Sequence, residues 1–187
     1  MKTPAAGHSW YRAERSISGQ ELAQQKGTGV LYFAYGSNMD WQQMQERCPG
    51  SSFCGIATVD GHELCFPRLS NGRGCGVASI APNVGGCVWG VVYEVSAYAL
   101  AALDRYEGYR EDHDASRNRY NRIMIEVFRD GLVAQPLSAW TYIAVPEPNP
   151  PLPSAAYVAH LVAGAIKWQL PAAYLAKLQA IELGEVG

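Results

Sequence analysis

The chain has 187 residues, of which 48% are hydrophobic and 17% are charged, and its formal net charge is −2. This length and composition are typical of a soluble globular protein with one substantial core, and the length excludes two domains of ordinary size. The charge provides no basic surface for nucleic acid, and glycine or polar residues interrupt the long apolar runs. Neither a nucleic-acid partner nor a membrane span is therefore predicted.

The first 28 residues contain glycine, serine, glutamine and charged residues without a sustained hydrophobic period. They lack the continuous apolar stretch of a signal peptide, so we expect a cytoplasmic protein. We interpret residues 1–28 as a flexible N-terminal extension and residues 29–187 as a single domain.

The domain begins with an apolar strand that ends in a glycine turn. Residues 30–35 (VLYFAY) predict a buried strand, residues 36–38 (GSN) are turn formers, and Asp40 is a candidate cap for a helix at residues 41–47. Such a turn leaves backbone N–H groups pointing outward together, where they can hold an anion or a developing oxyanion. Taken alone, the stretch favours an ordinary strand-to-helix connection.

Short strand-like runs follow this helix. Residues 53–59 and 62–66 flank Asp60-Gly61, a pair that predicts a hairpin. The glycine-rich residues 70–76 predict a loop. Two further strands, at residues 77–80 and 87–95, are predicted to be joined by a turn at Pro82-Asn83. Several short strands at this spacing favour an antiparallel sheet or barrel.

A short helix carries the carboxylate of greatest interest. Residues 96–108 (SAYALAALDRYEG) predict a helix that Ser96 caps and Gly108 ends, with Glu107 immediately before the glycine. The densely charged residues 109–119 predict a solvated loop. By itself, Glu107 would be interpreted as a surface carboxylate with an ordinary pKa near about 4.3.

The C-terminal third predicts two strands followed by two helices. The predicted elements are strands at residues 120–128 and 133–145, a stiff proline-rich connector at 146–153, and helices at 154–169 and 171–184. Together with the preceding runs, this order predicts an α+β fold. Its core is a small antiparallel, barrel-like sheet with flanking helices.

No metal site or cysteine nucleophile is predicted. The cysteines are odd in number and no pair has the two-residue spacing of a zinc site, so we interpret them as buried thiols. The histidines are scattered without ligand spacing. The residues concerned are Cys48, Cys54, Cys65, Cys75, Cys87, His8, His62, His113 and His160.

The motifs YGSNM (residues 35–39), VWGVVY (residues 88–93) and LDRYEG (residues 103–108) occur in this order. Together they resemble the gamma-glutamylcyclotransferase family, within the wider AIG2-like group. The resemblance runs from about Leu31 to about Leu183. It implies the same barrel-like fold and an enzyme that releases 5-oxoproline from a gamma-glutamyl amino acid or peptide. It implies no metal or organic cofactor, because the substrate's own amine is the nucleophile.

The resemblance identifies Glu107 as the expected general acid and base. Burial in the barrel mouth and the negative end of its helix are expected to raise its pKa. Asp104, one turn earlier, is interpreted as a structural partner or a solvated charge. Ser37 is not expected to be a nucleophile, because YGSN lacks the second glycine of a G-x-S-x-G elbow and no suitable His and Asp follow.

The expected substrate-binding residues are Tyr35, Gly36, Ser37, Asn38, Tyr120 and Tyr142. The four turn residues are expected to grip the glutamyl α-carboxylate or the developing oxyanion. The two later tyrosines align with family tyrosines that face the pocket, and their hydroxyls are expected to orient the substrate. Arg73 and Arg122 are candidates for a substrate carboxylate, although solvated arginines are the commoner outcome.

Two alternative functions remain open at this point. A close alternative is a cyclotransferase for gamma-glutamyl amines, or for gamma-glutamyl groups that protect a biosynthetic intermediate. The sequence does not show the amine side of the pocket, which decides between these substrates. A distant alternative is a non-catalytic ligand-binding module, which the retained Glu107 disfavours because a pure binder does not need the carboxylate.

Overall fold

The computed structural model describes residues 29–133 and 136–184, so the extension predicted at residues 1–28 lies outside the described residues. The strands in these ranges are β1 (Val30–Ala34), β2 (Ser52–Ser70), β3 (Cys75–Val95), β4 (Tyr120–Arg129) and β5 (Pro136–Ala144). They form a closed barrel in the order β1-β3-β2-β4-β5. The predicted α+β fold with a barrel-like sheet is confirmed.

The barrel closes through a parallel pair of strands. β5 pairs with β1 in parallel, with Trp140 opposite Tyr32, whereas the other neighbouring strands pair antiparallel. β1 therefore lies between β3 and β5. Its close approach to β3 depends on Gly90, because a Cβ there would lie 2.4 Å from the carbonyl oxygen of Ala34.

Two turns predicted in the middle of the chain are wrong. Residues 60–61 do not begin a hairpin, because both flanking runs belong to β2, and residues 82–83 lie inside β3. The register of the β2–β3 pair shifts between Asp60 and His62, which marks a bulge. Between these two pairs β3 has four residues (83–86) and β2 has only Gly61, so the extra residues lie on β3. Gly61, with a φ of 69°, continues β2 opposite the bulge without reversing the chain. The true hairpin lies at residues 71–74, inside the loop predicted at 70–76.

The helices flanking the barrel are α1 (Trp41–Arg47), α2 (Ala97–Glu107), α3 (Ala155–Lys167) and α4 (Ala172–Gln179). Side chains of Asp40, Ser96 and Ser154 accept the N–H three residues ahead, as N-caps do. α4 ends earlier than the predicted residue 184. Within the described ranges, no helix has the length and apolarity needed to cross a bilayer. The cytoplasmic location stays a prediction.

The charged loop between α2 and β4 is mostly exposed, as predicted. Its buried residue, Asn118, bonds the backbone N–H and carbonyl of Arg110 at 3.2 and 3.3 Å, and the side chain of Asn121 at 2.9 Å. These bonds hold the two ends of the loop together. The residue that follows Asn118 is Arg119, which lies at the mouth of the barrel.

β1 leads directly into the glycine turn at the barrel mouth. Ser37–Met39 form one turn of 3-10 helix, and Met39 is fully buried. The main-chain carbonyl of Met39 accepts hydrogen bonds from the indole of Trp168 at 2.6 Å and from the hydroxyl of Tyr93 at 3.2 Å. These two bonds, from α3's C-terminal cap and from β3, anchor the turn to the rest of the fold.

Candidate active site

A pocket at the end of β1 brings together every site residue predicted from the sequence. It has a volume of about 330 Å³, part of which is open to solvent. Its lining consists of Tyr32, Tyr35, Gly36, Ser37, Asn38, Ala78, Glu107, Tyr120, Thr141, Tyr142 and Tyr157. The glycine turn, the end of α2 and the tyrosines of β4 and β5 therefore converge on one small cavity.

Glu107 is held by one of its two carboxylate oxygens. Its Oε1 accepts hydrogen bonds from Asn38 Nδ2 at 3.1 Å and from Arg47 Nη1 at 3.4 Å. The side chain is 15% exposed. No described residue donates to Oε2, so this oxygen is left for a ligand.

The pKa of Glu107 is raised above its ordinary value, chiefly because burial disfavours the charged carboxylate. The charge of Arg47 and the hydrogen bond from Asn38 lower the pKa, but they do not cancel the effect of burial. Arg119 and Arg73 lower the pKa further by smaller amounts. Shelter in the barrel mouth, one of the two causes expected from the sequence, is therefore the main cause of the raised pKa.

Asn38 uses its whole side-chain amide on protein partners. Its Nδ2 donates to Glu107 and, at 2.7 Å, to the hydroxyl of Tyr32. Its Oδ1 accepts from Arg47 at 2.8 Å and from Gln43 at 3.0 Å. The amide has two donors and two acceptor sites, so no capacity remains for substrate. The side chain therefore positions Glu107, and only the backbone of Asn38 is free to bind a ligand.

The glycine turn still presents main-chain donors to the pocket. Within the turn, the N–H groups of Met39 and Asp40 donate to the carbonyls of Gly36 and Ser37. The N–H groups of Ser37 and Asn38 come first in this short helix and have no partner inside it. The Ser37 hydroxyl accepts from Gln43 Nε2 at 3.0 Å.

The tyrosines of the pocket form two groups, which differ in whether the hydroxyl donates its proton to another part of the protein. The Tyr35 hydroxyl donates to the main-chain carbonyl of Tyr142, Tyr120 donates to the Ala78 carbonyl at 3.0 Å, and Tyr142 donates to Asp104 at 2.8 Å. These are the three tyrosines predicted from the sequence, and their hydroxyl protons are used by the protein.

In the part of the chain that the structure describes, no acceptor takes the hydroxyl protons of the other two tyrosines, so these protons are free for a ligand. Tyr32 accepts from Asn38, and Tyr157 accepts from the Ala78 N–H at 3.0 Å. Burial raises the pKa of Tyr32 well above its ordinary value and that of Tyr157 to about 12, so both remain protonated at neutral pH. Among the pocket tyrosines, these two are therefore the better hydrogen-bond donors.

Asp104 and Arg122 form a structural pair beside the pocket. Arg122 Nη1 lies 2.7 Å from Asp104 Oδ2, and the guanidinium packs over the rings of Tyr109 and Trp140. This agrees with the structural role expected for Asp104. It also removes Arg122 as a candidate for a substrate carboxylate, because its charge is already paired.

Four residues that line or hold the candidate site were not predicted from the sequence: Tyr32, Gln43, Arg47 and Tyr157. A usable signal existed for Gln43 and Arg47, because Asp40 caps their helix and the i, i+4 spacing places both on the face toward the turn. Tyr157 bonds Ala78, which is far away in the chain, and left no local signal. Tyr32 bonds Asn38 six residues later, but it was interpreted only as part of the buried strand.

The remaining titratable residues suggest no other chemistry in this region. All five cysteines are free thiols, and burial raises the pKa of Cys48 to about 12. Across residues 29–133 and 136–184, no three His, Cys, Asp or Glu side chains converge as metal ligands do.

Known proteins with similar sequences and folds bear on this site. Residues 87–178 match the AIG2-like family. The chain is 30% identical to a gamma-glutamylcyclotransferase of Mus musculus over 167 residues, which cover 87% of this chain and 84% of that protein. A Bos taurus protein of the same name is also 30% identical, over 170 residues and the same shares of both chains. A solved structure named gamma-glutamyl cyclotransferase superposes with a TM-score of 0.75 at 28% identity, covering 85% of this chain and 91% of the other. The chain belongs to the gamma-glutamylcyclotransferase family.

Proposed function

We propose that this protein is a gamma-glutamylcyclotransferase that releases 5-oxoproline from a small gamma-glutamyl amino acid or peptide. The observation that carries the proposal is Glu107: one sheltered carboxylate with a raised pKa, one oxygen held by Asn38 and Arg47, and the other left for a ligand. Family membership supplies the reaction, and this geometry supplies a group suited to perform it.

The reaction rearranges one molecule of substrate. The α-amino nitrogen attacks the γ-carbonyl carbon, a five-membered lactam forms, and the amide bond to the departing amine breaks. One proton leaves the attacking nitrogen and one reaches the departing nitrogen, so no water, metal or nucleotide enters the balance. Tethering the two reacting groups supplies effective molarities that reach roughly 10⁵ M or more in well-oriented systems.

In this mechanism, Glu107 Oε2 takes the proton from the attacking amine and returns it to the departing nitrogen. A carboxyl group with a raised pKa is a better acid–base pair near neutral pH than an ordinary glutamate. The ionised form is needed for the first step. In the pH profile of kcat/KM, the acid limb is therefore expected at a higher pH than the ordinary pKa of a glutamate. Activity is lost as the pH falls through the raised pKa of Glu107.

Stabilisation of the tetrahedral oxygen is assigned to donors that the protein leaves free. The N–H groups of Ser37 and Asn38 and the hydroxyls of Tyr32 and Tyr157 meet this condition. Together they give the pocket enough donors for both the glutamyl α-carboxylate and the oxyanion. Tyr35, Tyr120 and Tyr142 then shape the wall of the pocket.

The proposal is tested by measuring 5-oxoproline release from gamma-glutamyl amino acids, gamma-glutamyl amines and glutathione, before and after exhaustive chelation. We expect release from at least one gamma-glutamyl compound without added metal or nucleotide, because the substrate supplies the nucleophile. Absence of 5-oxoproline from every compound would contradict the function. Activity that disappears on chelation and returns with one metal would contradict the mechanism.

Gly36→Val is expected to lower kcat/KM by roughly 10- to 100-fold, since small misplacements at a reacting centre have effects of this size. A Cβ at Gly36 would lie 3.3 Å from the Ala78 Cβ and 3.8 Å from the Tyr157 hydroxyl, so the valine methyls crowd the pocket. Backbone strain is not the reason, because φ is −111° there.

Gly184→Val is the matched control for that prediction. Its Cβ would also lie 3.3 Å from its nearest neighbour, the Leu152 carbonyl, but outside the pocket. We expect kinetics close to wild type for this variant. A folded Gly36→Val protein with unchanged kinetics would show that the turn is only a connector.

A further inference from the structure

A second, outer chamber joins the pocket that contains the glycine turn. It has a volume of about 700 Å³, part of which is open to solvent, and it shares four lining residues with the inner pocket: Ser37, Glu107, Tyr120 and Tyr157. Because Glu107 lines both chambers, a substrate whose scissile amide lies at Glu107 spans both of them. With the glutamyl half in the smaller inner pocket, the departing amine occupies the outer chamber.

The outer chamber has an excess of positive charge. Arg47, Arg68, Arg73 and Arg119 line it, against the carboxylates of Glu107 and Glu147. Arg47 contacts Glu107 at 3.4 Å, and Arg68 forms a 2.9 Å ion pair with Glu147. These two pairs account for both carboxylates. Two guanidinium groups therefore remain in excess.

The two remaining arginines have only neutral partners among the described residues. Arg73 Nη2 donates to Gln43 Oε1 at 2.9 Å, and Arg119 Nη2 donates to the main-chain carbonyl of Tyr106 at 2.9 Å. Each guanidinium carries five N–H donors, so most of these donors stay available.

Both side chains are held over the chamber by contacts with its wall. Arg73, in the β2–β3 hairpin, packs its guanidinium 5.1 Å from the centre of the Tyr157 ring. The backbone of Arg119 bonds Gly108 and Val145, which fixes the end of the charged loop against α2 and β5. The two arginines come from different loops and converge on one space.

We propose that the outer chamber is the leaving-group subsite and that Arg73 and Arg119 bind a carboxylate carried by the departing amine. This inference rests on the proposed function and names the residues that select its substrates over gamma-glutamyl amines. Gamma-glutamyl amino acids and peptides carry such a carboxylate, whereas gamma-glutamyl amines do not. Arginine suits this role because its planar donors match both oxygens of a carboxylate.

The test compares two substrates that differ only in that carboxylate: gamma-glutamyl-L-alanine and gamma-glutamyl-ethylamide. For each, kcat/KM for 5-oxoproline release is measured with wild type, Arg73→Gln, Arg119→Gln and the double variant. We expect each single variant to lower kcat/KM for the alanine substrate roughly 10-fold and to change the ethylamide value less than about two-fold. Wild type should prefer the alanine substrate, and this preference should shrink as the salt concentration rises, because salt screens the attraction between arginine and carboxylate.

Arg110→Gln is the matched control, because Arg110 is an exposed arginine of the same charged loop that lies outside both chambers. It should leave both values unchanged. Equal losses on both substrates in Arg73→Gln would overturn the inference, because this arginine would then bind the glutamyl half. Equal wild-type values for the two substrates would also overturn it. No 5-oxoproline from either substrate would instead contradict the proposed function itself.

Discussion

Glu107→Gln is expected to reduce kcat by roughly 10²- to 10⁴-fold while KM stays within a few-fold of wild type. The amide keeps the size of the side chain and can still bond its neighbours, but it cannot accept the amine proton or return it. The kcat of Glu107→Asp should lie between those of wild type and Glu107→Gln, because the shorter side chain withdraws the carboxylate by one methylene. Steady-state 5-oxoproline release at neutral pH measures all three proteins.

Asp104→Asn is the control for this prediction. Asp104 lies one helical turn before Glu107, but its carboxylate bonds Arg122 and Tyr142 instead of the ligand space. We expect lower thermal stability for this variant, because Arg122 loses its partner, with kcat changed far less than in Glu107→Gln. An inactive Asp104→Asn beside a nearly active Glu107→Gln would mean that the wrong carboxylate has been assigned.

Glu107→Gln also tests how much the burial of the ionised carboxylate lowers the stability of the folded protein. Because folding raises the pKa of Glu107, the folded state binds this proton more tightly than the unfolded state. The associated stability is present below the ordinary carboxyl pKa and is lost as pH rises through the raised pKa. Glu107→Gln removes this loss, so its melting temperature should fall less than that of wild type between acidic and neutral pH.

Asn38→Asp is expected to lower activity at neutral pH by roughly 10- to 100-fold and to move the acid limb to higher pH. The substitution is nearly isosteric, but it places a second carboxylate 3.1 Å from Glu107 Oε1, where the amide now donates a hydrogen bond. Like charges at this distance disfavour ionisation of the pair, so the pKa of Glu107 rises further. The pH profile of kcat/KM measures the shift.

Asn83→Asp provides a matched control for Asn38→Asp. Asn83 donates to Glu63 at 2.8 Å, so the substitution creates the same pair of carboxylates on an exposed surface outside the pocket. Its pH profile should match that of wild type. An Asn38→Asp profile with an unmoved acid limb would show that the amide does not control the protonation of Glu107.

The sequence by itself determined the features that depend on neighbouring residues. Asp40 and Ser96 cap their helices, and Gly108 ends α2 with a φ of 69°, because these signals act through the local backbone. The position of Glu107 immediately before Gly108 in the sequence also placed it at the end of its helix. The motifs around it, taken together, indicated the family that the comparisons then showed.

Only the tertiary structure decided which strands pair and which side chains meet. The Asp60-Gly61 pair gives the same local signal in a hairpin turn and inside a continuous strand, and its place follows from the pairing of β2 with β3 along both sides of it. The hydrogen bond from Asn38 to Glu107 and the placement of Arg73 and Arg119 around one chamber bring together segments that are far apart in the chain. No local pattern encodes such contacts, because they form only when the barrel closes and brings the loops at its mouth together.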